Sequence, residues 1–581
     1  MRETKRRRLT ALPKANVGRA ASQAGRINAF DPFGIGKAFA TVQLAWLAHP
    51  KELTDASIRL SSALQGWVFH SWNRTMGLEN EAWVPVLGQD ERFLDPEWER
   101  NSGFSAWRQC YLFYTHWLEQ TLYDTPGVSK TERRTAAFWA RQWLDAIAPS
   151  NFLLTNPVAL KTLVESGGKS FLQGIQNWHD DVKVGDLQMV DRSAFAVGKD
   201  LATTPGAVVF RNELMEVIQY TPTTDQVHAL PIVIIAPWIN KFYILDLTPQ
   251  KSLVRFLLDN GFSVFVTSWK NPTAALSHLT FDDYLFKGAL AAIDVARSIT
   301  GAPQVHAVGY CLGGTALAAL MAWLNKEYDE RREDIPVAHW TLLASLVDFS
   351  RPGEIEVFVN ESAIATVENI VSTRGYLSGR ALANTFRMLR PNSLIWHYFV
   401  HRYLYGESVP ALNVLFWNMD YTRLPRAMHV FYLREFYLRN KLVEKNGVTL
   451  GGHAIDLSRI AQPLYAVGAH EDHIAPWRAT FRTASLVQGP VRYVLSSSGH
   501  IFGIINPPVQ PPKREYWAGD ATHMIDAKAW RARQPRLFGS WWEDWVGWLD
   551  QRCGPLRSAV PVGSSTYPTL CAAPGSYVHE T

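Results

Sequence analysis

The stretch Gln304-Val305-His306-Ala307-Val308-Gly309-Tyr310-Cys311-Leu312-Gly313-Gly314-Thr315 decides how this chain reads. Gln304 to Gly309 reads as a buried strand. Beyond the turn, Leu317, Leu320, Met321 and Leu324 recur at helical spacing and mark the inner face of a helix. The glycines permit a tight turn in which the helix backbone passes close by. Cys311 then stands at a helix N-terminus, where free N–H groups and the helix dipole favour a thiolate. The pattern is that of the nucleophile turn Gly-x-Ser-x-Gly, with cysteine in place of serine. The Leu312 amide is a candidate donor to an oxyanion, with the backbone of Ile239 as the second. An isolated Gly-x-Cys-x-Gly is more often a buried cysteine beside a turn; strand, turn, helix and downstream partners together lift this one above that level.

The surroundings alternate. Ala207–Phe210 and Glu216–Tyr220 read as short strands, and Pro231–Ala236 as a central parallel strand bounded by Pro237. Thr248-Pro249 reads as a helix start, Ser263–Trp269 as a strand and Phe281–Ile299 as a helix. Residues 345–455 break the alternation with aromatic sequence lacking clean strands, a candidate cap over a site. Strands resume at Pro463–Gly468 and Val491–Ser496. Ser540-Trp541-Trp542-Glu543 reads as a capping box, and Trp541, Trp545 and Trp548 as the core face of a last helix.

The fold expected is therefore α/β, an α/β-hydrolase fold with a mostly parallel, doubly wound sheet and a cap insertion. A mostly helical N-terminal domain precedes it. The expected division is a basic tail over 1–35, helices over 36–204, the catalytic domain over 205–550 with the cap at about 345–455, and a tail over 551–581.

Two further residues complete a constellation in the chain order nucleophile, acid, histidine. Ala469-His470-Glu471-Asp472-His473-Ile474-Ala475-Pro476 follows a late strand, where such folds keep the acid; Asp472 is preferred to Glu471. Ser498-Gly499-His500 follows the next strand, where the general base belongs. His500 would take the Cys311 proton and Asp472 would orient the imidazole. Tyr310, His473 and Phe502 are substrate-pocket candidates. His470, Glu471, Asp472 and His473 could also form a metal cluster, but no third region supplies ligands at a recognised spacing, so no metal is expected. A cysteine nucleophile points to acyl transfer from a thioester, because thiol–thioester exchange is nearly isoenergetic.

Composition bounds the rest. The 581 residues are 47% hydrophobic and 19% charged, with 23 Trp, 20 Tyr and 28 Phe, which excludes global disorder and implies extensive apolar interfaces. The net charge of +5 misleads: residues 1–30 hold eight Lys and Arg against Glu3, a net +7, which leaves −2 for the remainder. The basic character belongs to the start of the chain, readable as a nucleic-acid arm, a transit peptide or a solvated segment. No apolar segment follows it as in a secretory signal, and no run reaches the ~18 residues that span a bilayer. Four cysteines in so long a chain form no disulfide framework, and a reducing cytoplasm fits.

Beyond these readings, the sequence closely resembles the bacterial class I polyhydroxyalkanoate synthases from about residue 85 onward. The resemblance rests on Ile239-Asn240-Lys241 through Leu247, Gly309 through Thr315, and Phe416-Trp417-Asn418-Met419-Asp420. It extends to Glu471-Asp472-His473-Ile474, Gly499-His500-Ile501 with Asn506-Pro507-Pro508, and Pro574-Gly575-Ser576-Tyr577-Val578. Asn156-Pro157 and Ser166-Gly167-Gly168 match as well. It implies that Cys311 carries the growing chain, that His500 activates it, and that Asp472 orients the histidine or activates the incoming hydroxyl. It further implies a 3-hydroxyacyl-CoA substrate (short-chain, 3-hydroxybutyryl-CoA), no metal or organic cofactor, and a homodimer. The implied location is the cytoplasm, at the surface of polymer granules with granule-associated proteins, without nucleic acid. Arg6-Arg7-Arg8 is foreign to the pattern, and Phe502 stands where alanine is usual. From that position Phe502 is expected to line the acyl tunnel or pack behind His500. A cysteine-dependent thioesterase or esterase on the same scaffold is the alternative from residue logic alone.

Overall fold

The computed structural model describes residues 31–78, 83–84, 90–521 and 526–581; the basic segment 1–30 lies outside them. The expected tail ends sooner than residue 35. Asp31 accepts the amides of Ile35 and Lys37 at 2.6 and 2.9 Å and so opens the first helix.

Helices then dominate to residue 184: α1 (Ile35–Ala48), α2 (Pro50–Thr75), α3 (Ser102–Tyr123), α4 (Lys130–Ala146), α5 (Pro157–Glu165) and α6 (Lys169–Val184). Local chemistry sets their starts. Asn101 caps α3 through the amides of Gly103 and Phe104, and Asn156 caps α5 ahead of Pro157. Ala38, Val42 and Trp46 of α1 pack on Ala136, Ala137 and Ala140 of α4, a small core of their own.

The catalytic region is built on one sheet of eleven strands. These are β1 (Gly206–Arg211), β2 (Met215–Tyr220), β3 (Ile232–Ile235), β4 (Val264–Trp269), β5 (Val305–Tyr310), β6 (Val337–Leu343), β7 (Leu464–Ala469), β8 (Val491–Ser496), β9 (Glu515–Ala521), β10 (Leu537–Phe538) and β11 (Cys571–Ala572). Their order is β10-β9-β8-β7-β6-β5-β3-β4-β2-β1-β11. Strands β3 to β8 run parallel, and antiparallel strands close both edges. Strand β3 is buried on both faces, as its unbroken apolar run requires. The fold is the α/β-hydrolase fold.

Helices α7 (Ala291–Thr300) and α8 (Leu312–Glu327) pack against the sheet. The cap follows β6 and carries α9 (Glu361–Arg374) and α10 (Gly379–Leu389), with π-helical turns at Asn392–Trp396, Val400–Leu404 and Tyr432–Leu438. The helical region bonds to this cap. Arg134 pairs with Glu356, Arg141 with Glu354, Asp181 with Arg402 and Asp186 with Arg387. The last two pairs are buried on both sides, so the cap lies clamped by the N-terminal helices.

Helix α11 (Trp541–Asp550) buries Trp541, Trp542, Trp545 and Trp548. The indoles of Trp541 and Trp542 donate to the carbonyls of Gly503 and Ile504, both at 2.9 Å, and so pin the loop that follows His500.

Four expectations need correction. Pro249 opens only a short 3-10 turn; the helix proper starts at Leu253, because the Ser252 hydroxyl accepts the Arg255 amide while donating to Asp246. Ser540 caps α11 through the Trp542 amide and spends its own proton on the Asn506 carbonyl, in place of the reciprocal Glu543 contact. Strand β9 is absent from the sequence reading, since its Gly519 and Asp520 disguise the strand next to the edge. Residues 551–581 are not a tail. Cys571–Ala572 extends the sheet beside β1, Tyr577 and Val578 are buried, and Glu216, itself wholly buried, accepts the amides of Ser576 and Tyr577.

Candidate active site

Cys311 sits between β5 and α8 with φ 52 and ψ −118, a conformation that non-glycine residues rarely hold and that the surroundings must enforce. The enforcement is visible. Its amide donates to the Leu343 carbonyl at 2.9 Å, and its carbonyl accepts the amides of Gly314 and Thr315. A Cβ on Gly309 would come within 3 Å of the Gly314 backbone, and one on Gly313 within 3 Å of the Ile235 and Ala236 carbonyls. Only glycine lets α8 start this close to β3 and β5. The Leu312 amide, first in α8, has no carbonyl of its own helix to bond.

Asp472 and His500 arrive from the loops after β7 and β8. His500 Nδ1 donates to Asp472 Oδ2 at 2.6 Å. The other oxygen, Oδ1, accepts the amides of Ile474 and Ala475, both at 2.8 Å, which fixes the carboxylate. The charge of Cys311 acts on the His500 imidazole together with that of Asp472. Burial alone would push the imidazole down; the charges of Asp472 and Cys311 outweigh it and hold His500 well above the usual histidine range. Asp472 thus secures the Nδ1–H tautomer and leaves Nε2 for the thiol. The three residues expected to act together are together.

The pocket candidates divide. Tyr310 is buried behind the site, stacked on His500 with ring centroids 5.7 Å apart, and its hydroxyl donates to the His500 carbonyl at 3.4 Å. It braces the histidine. His473 lines a cavity of about 1230 Å³ between the N-terminal helices and the cap, together with Arg390, Asn392 and His397. Burial and then Arg390 push His473 down to about 4. Phe502 lies at the protein surface. The residue is 43% exposed, and its ring lies under the Arg514 guanidinium at 5.9 Å. Ile239 lies in the turn after β3, beside the start of α8 that the Ile235 and Ala236 carbonyls approach so closely.

Two residues escaped the sequence reading. Tyr432 and Tyr437 stand on the π-helical turn Tyr432–Leu438, and burial followed by other groups, the Cys311 charge among them, raises both phenols. The Tyr432 hydroxyl donates to Thr315 Oγ1 at 3.1 Å, joining cap to elbow helix. The only signal was the aromatic density of the insertion. His470 is engaged elsewhere, accepting from Arg531 at 2.8 Å. Among the described residues, no group of three or more His, Cys, Asp or Glu could hold a metal ion, and no helix is long and apolar enough to cross a membrane.

Comparison with known proteins agrees with this architecture. A family model described as the N-terminus of poly-beta-hydroxybutyrate polymerase matches residues 89–257, and one for the alpha/beta hydrolase fold matches residues 239–507. A poly(3-hydroxyalkanoate) polymerase of Methylorubrum extorquens is 39% identical over 540 residues, spanning 92% of this chain and 88% of that protein. The corresponding polymerase subunit of Cupriavidus necator is 40% identical, spanning 87% and 85%. That of Rhizobium meliloti is 38% identical, spanning 93% and 88%. With an elbow cysteine on an α/β-hydrolase sheet and relatives that match along nearly its whole length, this chain belongs to the poly(3-hydroxyalkanoate) polymerase family.

Proposed function

We propose that this protein polymerises 3-hydroxyacyl groups from 3-hydroxyacyl-CoA into polyhydroxyalkanoate through an acyl-Cys311 intermediate. The observation that carries the reading is the strained Cys311 elbow facing the buried His500–Asp472 pair. His500 Nε2 takes the thiol proton, and Sγ attacks the thioester carbonyl. The amides of Leu312 and Ile239 receive the oxyanion. CoA leaves with the proton from His500. The hydroxyl of a second 3-hydroxyacyl-CoA then gives its proton to His500 and attacks the Cys311-bound chain. The ester forms, Sγ is freed, and the lengthened CoA ester reloads Cys311 with release of CoA. Asp472 keeps the imidazole oriented in both halves. Every step is acyl transfer with proton movement, so the cycle asks for no metal or organic cofactor.

The product is an insoluble polyester, which supports a cytoplasmic site at a granule surface. Exposed Phe171, Leu172, Ile175 and Trp178 on α6 support an apolar neighbour there. The aromatic cap supports a homodimer.

The test supplies 3-hydroxybutyryl-CoA to the purified protein. CoA release with insoluble polymer and label on Cys311 is expected. CoA release with soluble 3-hydroxybutyrate alone would make the protein a thioesterase and overturn the reading.

A further inference from the structure

Three stretches far apart in the sequence meet at one ammonium group. Lys241 is only 6% exposed, and its Nζ donates to the carbonyls of Val578 at 2.7 Å and Glu580 at 2.6 Å. Asp420 Oδ1 lies 3.1 Å from the same nitrogen. Lys241 stands two residues after Ile239, in a turn that no strand holds. Its neighbours in the turn are hydrogen-bonded to the cap. The Asn240 amide donates to Thr422 Oγ1 at 3.0 Å, Thr422 donates to the Trp238 carbonyl at 2.8 Å, and the Trp417 indole donates to the Lys241 carbonyl at 2.6 Å. Asn240 carries φ 62, so the turn is held away from its relaxed shape.

The segment Tyr577–Thr581 is itself fixed on the other side. Lys270 binds the Glu580 carboxylate at 2.9 Å and lies over the Tyr577 ring, the Asn271 amide donates to Glu580 at 3.1 Å, and Arg423 donates to the Thr581 carbonyl at 2.9 Å. A buried ammonium with two fixed carbonyls and one carboxylate has a single seat. With its ammonium seated here and its carbonyl held by the Trp417 indole, Lys241 is anchored at both ends two residues after Ile239.

We propose that Lys241, seated by Asp420 and the segment Tyr577–Thr581, is a positioning residue that aims the Ile239 amide at the oxyanion of acyl transfer. This rests on the assignment of Ile239 as an oxyanion donor and extends it. Residues 577–581 act on the chemistry at Cys311 without touching it. Lys241→Met keeps an unbranched side chain one atom shorter and removes its donors, so the turn relaxes and one oxyanion contact is lost.

Two reactions of the same thiol separate this from a general structural effect. Loading of Cys311 from 3-hydroxybutyryl-CoA passes through an oxyanion; alkylation of Cys311 by iodoacetamide does not. Lys241→Met in the full chain is expected to slow loading at saturating substrate about 10²-fold, the usual effect of one oxyanion donor, with KM little changed and alkylation near the wild-type rate. Lys241→Arg, which keeps charge and donors, is expected to restore part of the loading rate. If Lys241→Met does not fold, deletion of residues 579–581 removes one carbonyl acceptor and is expected to slow loading at least tenfold with the same selectivity. Equal loss of loading and alkylation, or unchanged loading, would overturn the proposal. Wild-type protein that alkylates at Cys311 yet never loads from the thioester would instead sink the catalytic reading beneath it.

Discussion

His500 and Asp472 are joined by a buried 2.6 Å bond between Nδ1 and Oδ2, while Oδ1 is held by two backbone amides. The carboxylate can accept from the ring but cannot swing away. Asp472→Asn offers an N–H where the ring needs an acceptor, so His500 is turned to the wrong tautomer. Loading of Cys311 is expected to fall about 10⁴-fold with the fold retained. Rapid-quench labelling measures it; loading at the wild-type rate would confine Asp472 to chain elongation.

Cys311→Ala removes the nucleophile and little volume. CoA release should vanish while the melting temperature stays close to wild type. His500→Gln should slow loading ~10²-fold or more through loss of the base. Continued polymer formation by Cys311→Ala would exclude a covalent intermediate.

A Cβ on Gly314 would fall within 3 Å of the Ser345 side chain. Gly314→Ala is expected to cost about 1–3 kcal/mol, the usual effect of overpacking. Ser345→Gly in the same chain removes the colliding atoms and should recover most of it. Urea unfolding of the single and double variants decides; no recovery would place the strain in the helix backbone.

Burial pushes His429 down to about 4 from an ordinary 6.5. Between those values the unfolded chain takes up a proton that the folded chain refuses. The stability is full above about pH 6.5 and is lost as pH falls toward 4. His429→Leu should flatten the acid side of the stability curve by about 1.4 kcal/mol per pH unit in that window. Denaturation midpoints at pH 5, 6 and 7 test it, and an unchanged slope would refute it.

Phe502→Ala should change stability by less than about 1 kcal/mol, because Phe502 is 43% exposed and its ring meets the half-buried Arg514 guanidinium. Polymer composition and chain length on a mixed monomer supply should match wild type. A shift toward longer monomers would mean that the loop turns inward during catalysis.

The sequence by itself determined the elbow and the parallel strands around it. Gly309, Gly313 and Gly314 admit only a tight strand-to-helix turn, and the apolar run Ile232–Ile235 suits only a strand buried on both faces. Strand-end loops also place Asp472 and His500 at the same edge as Cys311, since parallel strands all finish on one side. These are local constraints, legible within a dozen residues. The tertiary structure alone decided the rest. Tyr310 faces the core behind His500, Phe502 faces solvent, and Tyr432 descends from the cap onto the elbow helix. Residues 571–581 read as a tail because a strand of two residues carries no periodicity. Their partners, Glu216, Lys241 and Lys270, lie more than three hundred residues upstream. Side-chain direction in a loop, and pairing across such separations, depend on contacts that form only when the whole sheet has closed.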